Sequence, residues 1–373
     1  MRLAEVSAAQ AGGLGQAILT QYLRRDSTHP LAVAYSGGGD SLALLLSVQA
    51  WAQANGRQVV ALHIDHQLQA ASGAWARHCA EVADRLGVPF HRLGWTGTKP
   101  STGLPAAARE ARHRLLAQAS RDLGARVLLL GHTADDVEEA RLMRADGGPV
   151  PEPRIWAPSP AWPEGRELFM LRPLLGERRA DLRAWLADQP LTWIEDPANE
   201  NLAYARVRAR TALADGKAGD LPPSPRADIR ALAAGARIGP LGRVAWRRDH
   251  LSAQPDATAL RGLSIACLCA SGAARPPRTA ALASLVARLR TPEAFTATLA
   301  GARIEADAQG LTILREAGEA ARGGLAEQAL VLGAAQVWDG RFEITTTRPG
   351  LRVRALAAVS YTHLRAHETK ANL

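Results

Sequence analysis

The stretch Ser36-Gly37-Gly38-Gly39-Asp40-Ser41 lies between two apolar runs, residues 31–35 before it and residues 42–48 after it. That order predicts a strand, a glycine-rich turn and a helix. Such a turn directs unpaired main-chain N–H groups and the positive end of the helix towards one point, where a phosphate group fits. Glycine lets the main chain approach an anion closely. No Gly-Lys-Ser/Thr follows, so this is not a Walker loop; an ordinary glycine turn is the alternative.

Strand-like runs alternate with helical patterns from residue 31 to about residue 190. We predict strands over 31–35, 59–65, 88–95 and 126–131, and helices over 41–54, 74–86, 104–123 and 134–145. The alternation predicts an α/β fold with a doubly wound, mostly parallel sheet, whose site lies at the carboxyl ends of the strands. The glycine loop and the segment His63-Ile64-Asp65-His66 both fall at such ends.

Composition shifts divide the rest of the chain. Residues 149–163 are rich in proline and predict a surface loop, because such a run cannot form a helix. Residues 214–226 predict a boundary, which gives a first domain over 1–215, a smaller and mainly helical domain over 216–335, and a third segment over 336–358. We expect a hairpin over 297–306 and 311–315, and a turn into a strand at Trp338-Asp339-Gly340-Arg341-Phe342-Glu343. Residues 359–373 differ in composition and resemble translated adaptor DNA.

The net charge of this 373-residue chain is +9, and its pI is about 10.2. A surface this basic attracts polyanions, above all nucleic acid, although codon usage that favours arginine would give the same balance. The three cysteines form no Cys-x-x-Cys pair, so we expect a reduced, cytoplasmic setting. We expect no membrane partner, because no apolar run is long enough to span a bilayer and the N-terminus has no signal-peptide pattern.

A second motif follows a predicted strand and enters a predicted helix with Thr133 as its N-cap. It reads Gly131-His132-Thr133-Ala134-Asp135-Asp136-Val137-Glu138-Glu139-Ala140. Asp136 and Glu139 are three residues apart, so they share a helix face. Carboxylates grouped in this way can hold an ammonium group or Mg²⁺, or act as a general base. The alternative is favourable charge at an exposed helix N-terminus.

Two arginine groups complete the pattern. Arg109 and Arg112 are three residues apart on a predicted helix, and paired guanidinium groups suit phosphate oxygens. Arg206, Arg208 and Arg210 follow Trp193-Ile194-Glu195-Asp196-Pro197-Ala198-Asn199 and Tyr204, a combination that suits RNA phosphates and unstacked bases. Solvent-exposed arginines and a core tryptophan would give the same pattern.

The hexapeptide resembles the SGGxDS loop of the N-type ATP pyrophosphatases, the PP-loop superfamily. Taken together, the motifs resemble those of the tRNA(Ile)-lysidine synthases, which carry SGGxDS, ARxxRY, HHxDDQxET, RPLL and a W-x-D-P-S-N block ending in arginines. The matching stretches here are 36–41, 108–113, 132–140, 172–175, and 193–199 with the arginines of 206–210. Departures from the pattern include His113 for Tyr, Thr133 for His, Val137 for Gln and Ala140 for Thr.

The resemblance implies a PP-loop fold and a two-step reaction. ATP adenylates the C2 oxygen of the wobble cytidine in a tRNA(Ile) with a CAU anticodon, and lysine then displaces AMP to give lysidine. Residues 336–358 would begin a C-terminal domain that is cut short, and the protein would be a dimer or a monomer. The resemblance implies contacts to ATP from Ser36, Gly37, Gly38, Gly39, Asp40, Ser41, Asp65, Arg109, Arg112 and His132. It implies catalytic roles for Asp40, Asp136 and Glu139, with Asp40 as the Mg²⁺ ligand. It implies contacts to lysine and tRNA from Asp135, Asp136, Glu139, Arg206, Arg208 and Arg210.

Three other functions fit parts of the pattern. A tRNA thiolase shares the loop but uses cysteine pairs, which this chain does not have. An amidating ligase such as GMP synthetase would not require the basic excess. An RNA-binding protein without catalysis, or a version inactivated by a shortened C-terminus, would not release AMP and pyrophosphate when tRNA and lysine are present.

Overall fold

The computed structural model describes residues 13–146, 150, 152–197, 201, 205–215, 229–239, 242–318 and 325–355. The chain divides into two compact units, Met1–Ser224 and Pro225–Leu373. Several sequence predictions fall outside the described residues, namely those for residues 1–12, Pro149, Pro151, Ala198, Asn199, Tyr204, most of the predicted boundary and the tail.

The first unit alternates strands and helices as predicted. Its strands are β1 (Leu31–Ala34), β2 (Val59–Asp65), β3 (Phe90–Gly94), β4 (Val127–Leu129), β5 (Trp156–Pro158) and β6 (Phe169–Leu171). Its helices are α1 (Gln16–Tyr22), α2 (Gly39–Ala54), α3 (Ser72–Arg85), α4 (Leu104–Asp122), α5 (Ala134–Ala145), α6 (Arg179–Ala187) and α7 (Ala205–Ala214).

The strands form one six-stranded sheet in the order β3-β2-β1-β4-β6-β5. All pairs are parallel except β5 with β6. The predicted α/β fold with a mostly parallel sheet is therefore confirmed. Because the chain moves from β1 to β2 on one side and reaches β4 on the other, the carboxyl ends of β1 and β4 flank a topological switch point, where α/β sheets bind their ligands.

Helices cover both faces of the sheet. Along β1, Leu31 and Val33 pack into one core cluster and Ala32 into another, as the period of two in a strand requires. All residues from Leu42 to Val48 of α2 are buried, so this helix is enclosed on every side. The continuous apolar runs of the sequence thus reflect burial on both faces.

The proline-rich stretch differs from its prediction. We expected residues 149–163 to form a loop, but β5 lies within them and pairs antiparallel with β6 at the edge of the sheet. An edge strand tolerates proline, since the missing N–H is not needed by a second neighbour, and Pro158 ends β5.

The second unit begins with α8 (Arg230–Ala234), β7 (Arg237–Ile238), β8 (Val244–Arg247), α9 (Arg248–Ser252), α10 (Asp256–Ser271), α11 (Thr279–Leu289), β9 (Phe295–Leu299), β10 (Ala302–Ala306) and β11 (Gly310–Arg315). Its strands β7 to β11 form a five-stranded antiparallel sheet in the order β7-β8-β11-β10-β9. Helical residues outnumber strand residues in this unit. The sequence predicted a hairpin of residues 297–306 with residues 311–315, but the first run is divided into β9 and β10, and β10 pairs with both β9 and β11. Strands β7 and β8 lie between α8 and α9 and were not predicted.

Four short strands follow: β12 (Gln328–Ala329), β13 (Gln336–Trp338), β14 (Phe342–Ile344) and β15 (Arg352–Val353). The expected turn into a strand is present, because β13 and β14 pair around Asp339-Gly340-Arg341. The Asp339 carboxylate accepts hydrogen bonds from Arg315 (2.6 Å) and Arg341 (2.7 Å). This turn is therefore tied to β11 of the same unit. Within the described part of the chain, no helix combines the length and apolar character that crossing a membrane requires.

Candidate active site

The glycine loop joins β1 to α2 and requires glycine at Gly37. The φ angle of Gly37 is 90°, a conformation that L-residues rarely adopt. A Cβ atom at this position would lie 2.5 Å from Cδ1 of Ile194 and 2.7 Å from Sγ of Cys79. Backbone conformation and close packing therefore both exclude a side chain.

Internal hydrogen bonds hold the loop open. The Ser41 hydroxyl donates to the Gly38 carbonyl (2.8 Å), accepts from the Ser36 N–H (3.2 Å) and lies 3.0 Å from Oγ of Ser36. The N–H groups of Gly38, Gly39 and Asp40 have no acceptor among the described residues. They lie at the N-terminus of α2, so the loop offers the anion site that the sequence predicts.

A cavity of about 390 Å³ lies beside this loop at the switch point of the sheet. One part of its wall is apolar and the other is charged. The apolar wall is formed by Ala34, Leu62, Ile64, Leu116 and Leu130; the polar and charged residues include Ser36, Gly38, Gly39, Asp40, Ser41, His66, Arg112, His113, His132, Asp136, Arg179, Arg183, Glu195, Arg206 and Arg210. A volume of this size is typical of small-ligand sites.

The carboxylates of α5 lie at the edge of this cavity. Thr133 is the N-cap of α5, as predicted. The N–H group and the hydroxyl of Thr133 donate hydrogen bonds to Oδ2 of Asp136 (2.7 and 3.1 Å). Asp136 is 7% exposed and Glu139 is 1% exposed. The cluster is therefore buried, rather than an exposed face that merely complements the helix dipole.

Arg179, which was not predicted from the sequence as a site residue, joins the carboxylates of the loop and of α5. Its guanidinium contacts Asp40 (3.0 Å), Glu139 (3.2 Å) and Asp136 (3.5 Å). Its main-chain N–H donates to Asp135 (2.8 Å), so Asp135 binds the first turn of α6. Burial alone would lower the pKa of Arg179, but the surrounding carboxylates raise it. Arg179 follows the Arg172-Pro173-Leu174-Leu175 segment in the chain, which was its only sequence signal.

Two of the three arginines in the basic run also reach these acids. Arg206 contacts Asp136 (3.0 Å) and Glu139 (2.8 Å), and Arg210 contacts Glu139 (2.9 Å). These arginines are four residues apart on α7 and share a face, whereas Arg208 between them is exposed and does not line the cavity. Trp193 is partly buried and packs against the core, close to Gly39.

A basic group lies next to the acidic one. Nδ1 of His132 accepts a hydrogen bond from Arg172 (3.1 Å). Burial, with Arg172 and Arg206 nearby, lowers the pKa of His132 well below its usual value, so the ring is neutral and Nε2 carries its proton. Burial, with Arg109 and Arg206, lowers the pKa of Arg112 to about 10, which leaves this arginine charged at neutral pH. Arg109 itself is exposed and does not line the cavity.

Asp65 is not brought together with the other predicted residues. Its carboxylate pairs with Arg92 on the neighbouring strand β3 and accepts the Gln67 N–H (2.9 Å). It does not line the cavity, but the next residue, His66, does.

Most of the predicted site residues come together. The cavity is lined by Ser36, Gly38, Gly39, Asp40, Ser41, Arg112, His132, Asp136, Arg206 and Arg210. Directly behind them lie Gly37, Asp135 and Glu139.

Comparison with known proteins agrees with this geometry. A PP-loop domain model matches residues 15–216. The chain is 51% identical to a tRNA(Ile)-lysidine synthase of Caulobacter vibrioides over 95% of its own length and 81% of the relative. It is 36% identical to the enzyme of Mesorhizobium japonicum over 86% and 73%. It is 37% identical to that of Hyphomonas neptunium over 74% and 79%.

The chain belongs to the tRNA(Ile)-lysidine synthase family. The family resemblance predicted from the sequence is thus confirmed. The PP-loop domain implies that ATP is used, in agreement with the anion site at Gly38, Gly39 and Asp40. The described residues include no group of three or more His, Cys, Asp and Glu side chains arranged to hold a metal ion.

Proposed function

We propose that this protein is an ATP-dependent ligase that joins lysine to C2 of the wobble cytidine of tRNA(Ile) with a CAU anticodon, releasing AMP and pyrophosphate. The product, lysidine, changes decoding from AUG to AUA. The observation that carries the proposal is one cavity in a lysidine synthase family member that combines a phosphate-binding loop with buried carboxylates.

The first step is adenylation of the cytidine. Its O2 atom attacks the α-phosphorus of ATP, and the bond to the pyrophosphate oxygen breaks. The free N–H groups of Gly38, Gly39 and Asp40 are suited to the charge that develops on the leaving pyrophosphate. Arg112 lines the same cavity, and no described carboxylate lies within ion-pair distance of it, so its charge is free for phosphate oxygens.

The second step is attack of the lysine amine on C2, with AMP as the leaving group. Asp136 and Glu139 are our candidates for binding the lysine ammonium group, with Asp135 behind them. Both acids already pair with arginines, so lysine must share or replace these contacts. The side chains of Arg206 and Arg210 are 41% and 39% exposed, against 14% for Arg179. We therefore assign the movable contacts to α7 and the fixed contact to Arg179.

Mg²⁺ is proposed to bind next to the loop. Mg²⁺ takes one or two protein carboxylates and completes its shell with phosphates and water. Asp40 fits this requirement, because its carboxyl group is partly exposed at the cavity and the hydrogen bond from Arg179 goes to one of its oxygens, Oδ2. When bound, the ion would neutralise phosphate charge. Burial raises the pKa of Asp40, an effect that Arg179 opposes and that a nearby cation would also oppose.

The tRNA contacts and the domain roles are assigned from charge. We propose that residues 1–215 carry the catalytic domain and that residues 216–335 contribute to tRNA binding. Arg208 is exposed on α7 beside the cavity-lining arginines and is suited to a phosphate contact. Arg206 and Arg210 would contact tRNA only after they release the acids.

The deciding experiment incubates the protein with ATP, lysine and a tRNA(Ile) transcript carrying the CAU anticodon. We expect lysine-modified cytidine in the nucleoside digest by mass spectrometry, with one AMP and one pyrophosphate released per modification. A transcript with a different wobble base is the control. Release of AMP without modified cytidine would exclude the ligase and leave another PP-loop reaction, whereas tRNA binding without AMP release would identify a non-catalytic protein.

A further inference from the structure

Two histidines in the cavity have ring nitrogens without a hydrogen-bond partner. His113 on α4 lines the cavity, is 9% exposed, and its buried Nε2 contacts no donor or acceptor among the described residues. His66, which follows β2, lines the same cavity, and its Nδ1 is also buried without a partner. A buried polar atom in this state is destabilising unless a ligand satisfies it, so the pair requires an explanation.

The surroundings of His113 keep it neutral. Burial, with Arg112, Arg109 and Arg172 nearby, lowers the pKa of its ring to about 3. Burial and, to a lesser extent, the charge of Arg112 also lower the pKa of His66. A neutral imidazole offers one N–H donor and one acceptor. Such a group neither repels the arginines nor competes with them for phosphate.

The adjoining wall suits a flat, apolar ring. Leu62 and Ile64 come from the end of β2, and Leu116 lies one helical turn after His113. An apolar pocket with a few placed polar groups is the usual form of a small-ligand site, and a flat nucleobase is a ligand of that kind. The glycine loop lines the same cavity. The phosphate groups and the base of one nucleotide could therefore bind in different parts of it.

We propose that His113, assisted by His66, hydrogen-bonds the edge of a nucleobase held against this apolar wall and thereby determines base specificity. This inference rests on the proposed function, and the base is either the adenine of ATP or the target cytosine. His113 stands where the family pattern has tyrosine, so this chain has ring nitrogens where the pattern has a phenol oxygen. A site that pairs with a base edge rejects bases that cannot satisfy it.

The test compares three variants. His113→Phe removes both ring nitrogens but keeps a planar ring, and His113→Gln restores a polar group at similar reach. His91→Phe, at an exposed position on β3, is the matched control. We measure equilibrium binding of α,β-methylene-ATP, and the KM values for ATP and for the tRNA transcript. His113→Phe is expected to weaken the binding of one of these ligands roughly fivefold to tenfold. Binding should recover substantially in His113→Gln and remain unchanged in His91→Phe.

Base analogues identify the source. If adenine is the partner, inosine triphosphate or a deaza analogue binds the wild type weakly but loses nothing further in His113→Phe. A rise in the KM for tRNA alone assigns the cytosine. A lower kcat with both KM values and nucleotide affinity unchanged indicates a structural role and overturns the proposal. Absence of lysidine formation by the wild type refutes the proposed function, while the binding measurements still test His113.

Discussion

Glu139 shows how a single buried charge organises this site. It is 1% exposed and contacts Arg179, Arg206 and Arg210, which come from two helices. Removing a buried carboxylate that compensates several cations leaves those cations unpaired in a poorly solvated place. Glu138, its neighbour in the chain, instead forms an ion pair with Arg178 in which both side chains are substantially exposed. The two adjacent glutamates therefore differ in environment but not in chemistry.

Replacing Glu139 by Gln should cost about 3 kcal/mol of unfolding free energy, since the buried carboxylate loses its charge but its guanidinium partners remain. The same change at Glu138 should cost less than about 1 kcal/mol, because exposed ion pairs contribute little. Urea unfolding of both variants measures the difference. Equal costs for the two changes would show that the cluster is not energetically buried.

Asp136→Asn tests the lysine site. We expect the apparent KM for lysine to rise about tenfold, because the neutral amide attracts an ammonium group less strongly. The KM for ATP should change less than about threefold, since Asp136 is not part of the glycine loop. Initial rates with lysine and ATP varied separately provide both values. An unchanged KM for lysine would remove Asp136 from this role.

The junction between β1 and α2 forms the proposed phosphate site. The loop is fixed by its own hydroxyl bonds and by the Ile194 N–H, which donates to the Gly37 carbonyl (2.9 Å). Ile194 also fills the space where a side chain at Gly37 would lie. A segment more than 150 residues later in the chain thus completes the anion site.

Gly37→Ala should lower unfolding free energy by more than about 2 kcal/mol, because left-handed backbone strain adds to the contact with Ile194 and Cys79. Gly56→Ala is the control: Gly56 also has a positive φ, 62°, but a Cβ there would meet no atom within 4 Å. It should cost about 1 kcal/mol. Thermal unfolding and α,β-methylene-ATP binding are measured for both. Retained nucleotide binding by Gly37→Ala would contradict the role given to the loop.

For the whole molecule, net charge influences substrate binding more than folding. The charge of +9 is distributed along the chain, and many arginines in both units are committed to ion pairs. Binding of a polyanion releases counterions, whereas binding of ATP in a small cavity depends on local contacts.

The affinity for tRNA should therefore fall steeply with salt. We expect at least a tenfold loss between about 50 and 200 mM KCl, with a smaller change for α,β-methylene-ATP. Filter binding at several salt concentrations gives the slope, and a poly-anionic competitor without the anticodon shows the non-specific part. A salt-independent tRNA affinity would argue against broad phosphate contacts.

Much of the site could be predicted from local sequence. The glycine loop, the Thr133 cap and the spacing of Asp136 and Glu139 depend on residues a few positions apart, so the chain itself encodes them. The pairing of Asp65 with Arg92 could not be predicted, because it depends on the register of two adjacent strands. The edge strand at residues 156–158 was not predicted because it lies in a proline-rich stretch and itself ends at Pro158, and β7 was not predicted because it has only two residues.

The sequence alone determined the α/β alternation and the identity of the phosphate loop, because periodicity and backbone conformation are properties of neighbouring residues. Only the tertiary structure determined that Arg179, Arg206 and Arg210 converge on the acids of α5. It also determined that His66 and His113 line one cavity, each with a buried ring nitrogen that has no partner among the described residues. Contacts of this kind depend on how distant helices and strands pack, and a buried charge or imidazole takes its properties from whatever that packing places beside it.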